Sequence, residues 1–370
     1  MPHSMRRRST GFSLVEIMVG MVIGMLGIIV MMQVYSVSEG QKRSATGASD
    51  AQNNGAIALY GVQRDIRQAG YGFSVFSLFS CNVTLPSGVV IPLVPAIINP
   101  ATNIIPTGDA NSDTLLVMYG NTNGAPQGNL ITNIAGGVIY TVNTPSAFAV
   151  NDYVIAAPTT CAANLVLDRV AAVSATTVTV ATGAAGATTL YNMGQAPKIL
   201  AYAIRGGNLT VCDYVANNCS GNVNNSAIWT PIANNIANMR AQYGRDTLTA
   251  AIAFASPPTP LPSYAVDLWY QSTPTALTAP PAPCGWTRTP AVRIALTARS
   301  QQYEKNVVTT TAPTWQGSTV VTGSTTGMNN PTALPITLTA DTEWQHYRYK
   351  VFQTIVPLRN ITWMGVQSGC

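Results

Sequence analysis

The sequence predicts an α+β fold, and three observations carry that prediction. A single apolar helix pattern runs from Phe12 to Tyr35 behind a short basic leader. Helical spacing then continues to about Ala69 with one apolar stripe, which must be buried against something. After Ala69 the chain breaks into short apolar or alternating runs separated by Gly, Pro, Asn and Asp, the pattern of strands and turns. A striped helix followed by strands packs as a spine against an antiparallel sheet.

The first element is set by its charges. Arg6, Arg7 and Arg8 precede Gly11, and the apolar run begins at once. About 20 helical residues cross a hydrocarbon core, so the run is long enough to span. The leader arginines place the N-terminus in the cytoplasm and all that follows Tyr35 outside. No Ala-x-Ala site follows Tyr35, so a secretory signal peptide cut after the apolar stretch is excluded. Glu16 is the one carboxylate in the run. An acidic side chain at mid-bilayer costs roughly 2.5–3.5 kcal/mol, so Glu16 needs a partner. Gly20, Gly24 and Gly27 allow close approach of a second helix and also soften the helix itself.

This boundary resembles the class III leader of type IV pilins and type II pseudopilins. The resemblance covers about 25 residues and rests on Gly11 followed by Phe12 and, four residues on, Glu16. It implies that a prepilin peptidase cleaves between Gly11 and Phe12 and methylates the new Phe12 amine. It also implies that Glu16 pairs with the N-terminal amine of a neighbouring subunit during filament assembly. Pairing offsets the cost of each charge in lipid. One departure is the lack of a helix-breaking proline further along, where Gln33 stands instead.

Beyond the membrane segment, Ala51, Gly55, Ala58, Leu59, Val62 and Ile66 form the buried stripe, and Arg64, Asp65 and Arg67 sit off that stripe and read as solvated. Gly70-Tyr71-Gly72 ends the helix. Strands are expected at Thr114 to Tyr119, Gly137 to Val142, Asp152 to Ala156, Leu165 to Val173 and Thr176 to Ala181, as an elaboration of the main sheet or a small β-subdomain. From Lys198 a hairpin is expected around Gly206-Gly207, from Ile199 to Ile204 and Leu209 to Tyr214. Thr230-Pro231 is expected to open a short helix with Ile232, Ile236 and Met239 on its apolar face. Proline clusters at 257–262 and 280–283 bracket Asp267-Leu268-Trp269-Tyr270 as loops. A strand at Val292 to Ala298 alternates Val292, Ile294 and Leu296 against Arg293, Ala295 and Thr297. A Thr/Gly/Ser-rich loop from Val307 to Pro335 leads to a last strand, Tyr347 to Leu358.

The expected organisation is therefore a leader at 1–11, a membrane and filament-core helix at 12–36, an amphipathic helix at 37–70, a β-rich elaboration at 71–197 and a β-sheet head at 198–370. Net charge is +5, and loss of the leader arginines leaves +2, too little to argue for a nucleic-acid partner. Charged residues make up only 9% of the chain, which suits an exported β-rich domain with a neutral polar surface. The six cysteines, Cys81, Cys161, Cys212, Cys219, Cys284 and Cys370, all fall on the exported side, where an even number reads as disulfides. Cys212 and Cys219 flank a short Asn-rich loop and form the expected local pair; pairing of the other four is open. A bridge to Cys370 would hold the chain end.

Catalytic signals are missing. His3 and His346 are the two histidines, and His3 leaves with the leader. No Gly-x-Ser-x-Gly, His-Glu-x-x-His or phosphate-binding loop occurs. Asp109-Ala-Asn-Ser-Asp113 begins like a calcium loop, but Thr114 replaces the glycine and Gly120 the closing Glu, so an Asx-type turn is expected. No enzyme activity, cofactor or metal is expected. Arg240, Arg245, Arg288, Arg293, Arg299, Lys305, Arg348, Lys350 and Arg359 gather late in the chain. On a shared face they would suit DNA phosphates, but interspersed Asp and Glu make solvated strand faces the simpler expectation.

A second resemblance comes from the C-terminal part. Ile236-Ala-Asn-Met-Arg-Ala-Gln-Tyr-Gly-Arg-Asp246, Val292-Arg-Ile-Ala-Leu-Thr-Ala-Arg-Ser300 and Tyr347-Arg-Tyr-Lys-Val-Phe-Gln-Thr-Ile-Val-Pro-Leu-Arg-Asn360 resemble, in order and spacing, the PilW family of minor pilins. This implies a pilin-like fold and a structural subunit that primes type IV pilus assembly in an initiation or tip complex. It implies other minor and major pilins, the prepilin peptidase, the inner-membrane assembly platform and the membrane as partners. It places the head in the periplasm before assembly and on the cell surface afterwards, in support of motility, adhesion or DNA uptake. A minor pseudopilin of type II secretion, of the J kind, shares the N-terminal logic; a tip adhesin or DNA-binding module is the reading from another class.

Overall fold

The computed structural model describes every residue except 1–10, 12, 74, 80, 123, 162, 247–261, 275–283, 324–328 and 368–370. Helix α1, Leu14–Gln68, is continuous over 55 residues. Its first half touches nothing in the head. Its second half buries Gly47, Ala51, Gly55, Ala58, Val62, Asp65 and Ile66. Small residues dominate this stripe because the helix lies close on a sheet. At Gly55 an added Cβ would overlap the Phe352 ring and press to 3.0 Å from the Ala298 Cβ. Gly70 and Gly72 end the helix with φ of 85° and 89°, a left-handed conformation that costs glycine little.

Three sheets follow. Strands β1 (Asn82–Thr84), β2 (Val90–Pro92), β3 (Ala96–Ile98) and β4 (Leu115–Tyr119) lead into β5 (Asn129–Ala135), β6 (Ile139–Val142), β7 (Tyr153–Ala157), β8 (Leu165–Val173), β9 (Thr177–Val180) and β10 (Thr189–Gly194). Neighbours run β2-β1-β8-β7-β10-β5-β6-β9, and β9 pairs back onto β8. The last six of these strands therefore close into a small antiparallel barrel, with β1 and β2 appended. Closure removes the edges that an open sheet would expose. The barrel has its own core, including Tyr140, Val154, Val170, Val178 and Leu190. Of the two expectations, a small β-subdomain describes Asn129 to Gly194, whereas the strand expected at Thr114 to Tyr119 belongs to a second sheet.

Strands β11 (Lys198–Arg205), β12 (Asn208–Asp213) and β13 (Thr230–Ala233) join the earlier β3 and β4 in a five-stranded sheet, order β13-β12-β11-β4-β3. Gly206 and Gly207, with φ of 56° and 70°, make the two-residue turn between β11 and β12 that matches strand twist. Strand β14 (Ile236–Arg245), β15 (Leu268–Tyr270), the short helix α2 (Cys284–Thr287), β16 (Ala291–Arg299), β17 (Tyr349–Pro357) and helix α3 (Arg359–Thr362) complete the chain. The third sheet runs β15-β14-β16-β17, and α1 lies across β16 and β17.

Several expectations are corrected. Thr230-Pro231 opens no helix: the segment is the edge strand β13, where a proline is tolerated because one side needs no ladder donor. Ile236 and Met239 share a buried face because a bulge between Ile236 and Asn238 shifts the register, which converts a strand into an apparent three-residue period. Ile232 is 43% exposed. Leu268–Tyr270 is a strand; the proline clusters beside it, except Pro262, lie outside the described residues. Strand β16 is buried on both faces. Val292, Ile294, Leu296 and Ala298 join the main core, while Ala295 packs with Trp315, Ile336 and Leu338 from the loop between β16 and β17.

Candidate functional site

The first feature to place is the N-terminal tip. Ser13 caps α1: its hydroxyl accepts from the Val15 N–H at 3.3 Å, and its own N–H donates to Glu16 Oε2 at 3.0 Å. This reciprocal box satisfies two otherwise unpaired amides, and the carboxylate sits where the helix dipole favours negative charge. Gly11 is exposed, and Phe12 lies outside the described residues. Glu16 is thus held one turn from the helix start, facing the peptide that joins Phe12 to Ser13.

Above it, the apolar side chains from Leu14 to Val37 are all more than half exposed, from Val19 at 51% to Met31 at 74%. Such an apolar surface is far beyond what a soluble protein leaves in water. The helix there is long and apolar enough to cross a membrane. Gly20, Gly24 and Gly27 meet nothing within 4 Å, so their close-approach surface faces outward. Arg43 and Glu39, exposed and 3.3 Å apart, mark the return to polar surroundings.

The second half of α1 is fixed to the head by a carboxylate that sequence reasoning placed in solvent. Asp65 is 3% exposed. It accepts from the Tyr119 hydroxyl on β4 at 2.9 Å and from the Tyr202 hydroxyl on β11, and Arg64 reaches it from the rim. Burial and the neighbouring Asp65 charge push both tyrosines above their ordinary pKa. A signal existed: Asp65 stands seven residues after Ala58 and three after Val62, on the stripe itself. Arg64 and Arg67 are exposed.

Disulfides brace the head. Cys81 and Cys161 join across 5.6 Å between Cα atoms, tying the segment after α1 to the β7–β8 loop. Cys212 and Cys219 close a short loop after β12, with Cα atoms 5.8 Å apart. Cys284 is also disulfide-bonded; Cys370 lies outside the described residues.

The nine late basic residues do not share one exposed face, because four of them are buried. Arg240, Arg245, Arg288 and Arg293 are buried, which corrects the expectation of solvated strands. Arg240 pairs with buried Asp113 at 3.3 Å. Arg293 lies over Trp269 and Trp315, 4.5 and 5.1 Å from the ring centroids, and its Nε donates to Gln242 Oε1 at 2.9 Å. Burial lowers its pKa to about 10, so it stays charged at neutral pH. Arg299 and Arg348 pair with Asp341 and Glu304.

The residues weighed for catalysis and for calcium make other contacts. His346 stacks on Tyr303, with its Nδ1 2.7 Å from the Glu304 carbonyl. Asp109 makes no local Asx turn; its carboxylate accepts from the Gly206 and Gly207 amides of the β11–β12 turn at 2.9 and 2.7 Å. Among the described residues no three His, Cys, Asp or Glu side chains cluster as metal ligands.

Comparison with known families agrees with this layout. Residues 202–360, from β11 into α3, match the family model described as Type IV Pilus-assembly protein W. Residues 6–32 match the model described as Prokaryotic N-terminal methylation motif. No curated protein and no solved structure matches the chain.

Proposed function

We propose that this chain is a type IV pilin of the PilW family, serving as a minor subunit that primes filament assembly and stays in a tip or initiation complex. The observation that carries this reading is the exposed apolar half of α1 with one carboxylate in its first turn. In the proposed sequence of events the leader arginines hold the N-terminus in the cytoplasm while the head folds in the periplasm. A prepilin peptidase then cuts between Gly11 and Phe12 and methylates the Phe12 amine. Glu16 exchanges its contact with the Ser13 N–H for the charged amine of a neighbouring pilin. Two charges that are each costly in lipid are then neutralised together, and the assembly platform moves the pair into the filament.

The Glu16→Leu variant tests the mechanism. It removes the charge and keeps the helix apolar, so membrane insertion persists while the chain disappears from sheared surface pili and piliation falls at least tenfold. Normal piliation with Glu16→Leu in the filament overturns the assembly role of Glu16.

A further inference from the structure

One cleft of the head has no part in assembly as argued above. It lies where the barrel seam opens. Strands β10 and β5 pair only at Thr189–Leu130 and Leu190–Asn129 and then separate, leaving a recess of about 610 Å³, within the roughly 300–1,000 Å³ range of small-ligand clefts. Its floor is built. Asn192 Nδ2 donates to the Ala147 carbonyl at 2.7 Å and to Asp152 Oδ2 at 2.8 Å, and that oxygen also accepts from the Ala149 N–H at 2.8 Å. One carboxylate oxygen is therefore pinned, while Oδ1 makes no hydrogen bond among the described residues. Asn129 is 8% exposed, lines the same cleft, and its amide makes no hydrogen bond either.

The lining decides the chemistry. Asn121 and Gln195 stand at the rim, and Phe148 supplies an apolar wall. No Lys, Arg or His lines the recess, so nothing there would neutralise a phosphate, sulfate or carboxylate. Beyond the paired stretch, the Asn121 N–H donates to the Met193 carbonyl at 2.9 Å, so a loop of this chain already occupies that part of the β10 edge. What remains is the amides of Asn121, Asn129 and Gln195 and one carboxylate oxygen beside an apolar wall. That set matches hydroxyl groups alternating with C–H faces.

We propose that this cleft binds a neutral oligosaccharide. Its place suits contact with a surface. The Gly120 N–H donates to the Tyr71 carbonyl at 2.7 Å and the Tyr71 hydroxyl to the Thr122 carbonyl at 2.6 Å, which sets the cleft at the end of α1 opposite the membrane segment.

The test uses the full-length protein in detergent on an array of neutral, sialylated and sulfated oligosaccharides, with hits measured by titration. Neutral glycans should bind. Asn129→Ala should weaken that binding about tenfold with unchanged thermal unfolding, since the side chain makes no hydrogen bond to lose. Gln195→Ala, on the exposed rim, should weaken it less. Absence of any neutral-glycan signal, binding confined to anionic glycans, or neutral binding indifferent to both substitutions overturns the proposal.

Discussion

Replacing Asp65 by Ala should destabilise the head by about 3 kcal/mol, because two buried tyrosine hydroxyls lose their acceptor at once. Asp65→Asn, which keeps one acceptor oxygen, should cost about 1 kcal/mol. Denaturant unfolding of the two variants checks the order, and equal costs would show that the tyrosines find other partners. The tyrosines also set a pH limit. Tyr119, Tyr202, Tyr214 and Tyr243 all have raised pKa values, first because of burial. The folded state holds these protons more tightly than the unfolded chain, whose tyrosines titrate near pH 10. Stability from this source is complete below about pH 10 and is lost as pH rises beyond it. Unfolding midpoints should be flat from about pH 8 to 9.5 and fall above that, with a shallower fall in Tyr202→Phe. Sequence reading sets Asp65 off the apolar stripe with its charged neighbours, whereas its three- and seven-residue spacing from Val62 and Ala58 puts it on the buried side. In the fold, two hydroxyls satisfy the carboxylate and the stripe wins.

At the scale of elements, α1 depends on close approach. Gly55→Ala gains about 1 kcal/mol of helix propensity but forces its Cβ into Phe352, a clash of about 1–3 kcal/mol. Net destabilisation is expected, and Phe352→Leu in the same chain should recover part of it. A double-mutant cycle showing no coupling would mean that α1 does not seat on β17 at this point. The helix was legible in the sequence because its period is long and unbroken. The strand β8 was legible to its ends, Leu165–Val173, because Val and Leu alternate between turn residues. Strands β5 and β10 were not, since Asn129, Asn133 and Asn192 interrupt the alternation on which sequence reading depends. The bulge in β14 and the edge position of Pro231 are products of pairing, invisible to local spacing. So is the burial of both faces of β16, which needs a loop from elsewhere in the chain.

For the whole molecule, the arrangement separates three tasks along α1: an exposed apolar half, a sheet-covered half and a disulfide-braced head. The N-terminal motif was readable because its chemistry is local: a basic leader, a glycine, and one carboxylate in an apolar run. Of the barrel between Asn129 and Gly194 only four strands were readable, because closure of β9 onto β8 is a long-range fact. The cleft at its seam carries no motif, since its amides come from segments some 70 residues apart. The most direct measurement of the assembly role is intact-mass and N-terminal mass spectrometry of this chain recovered from sheared surface pili. The expected result is a mature chain beginning at N-methyl-Phe12. A chain that keeps residues 1–11, or one confined to the inner membrane and absent from the pili, would contradict it.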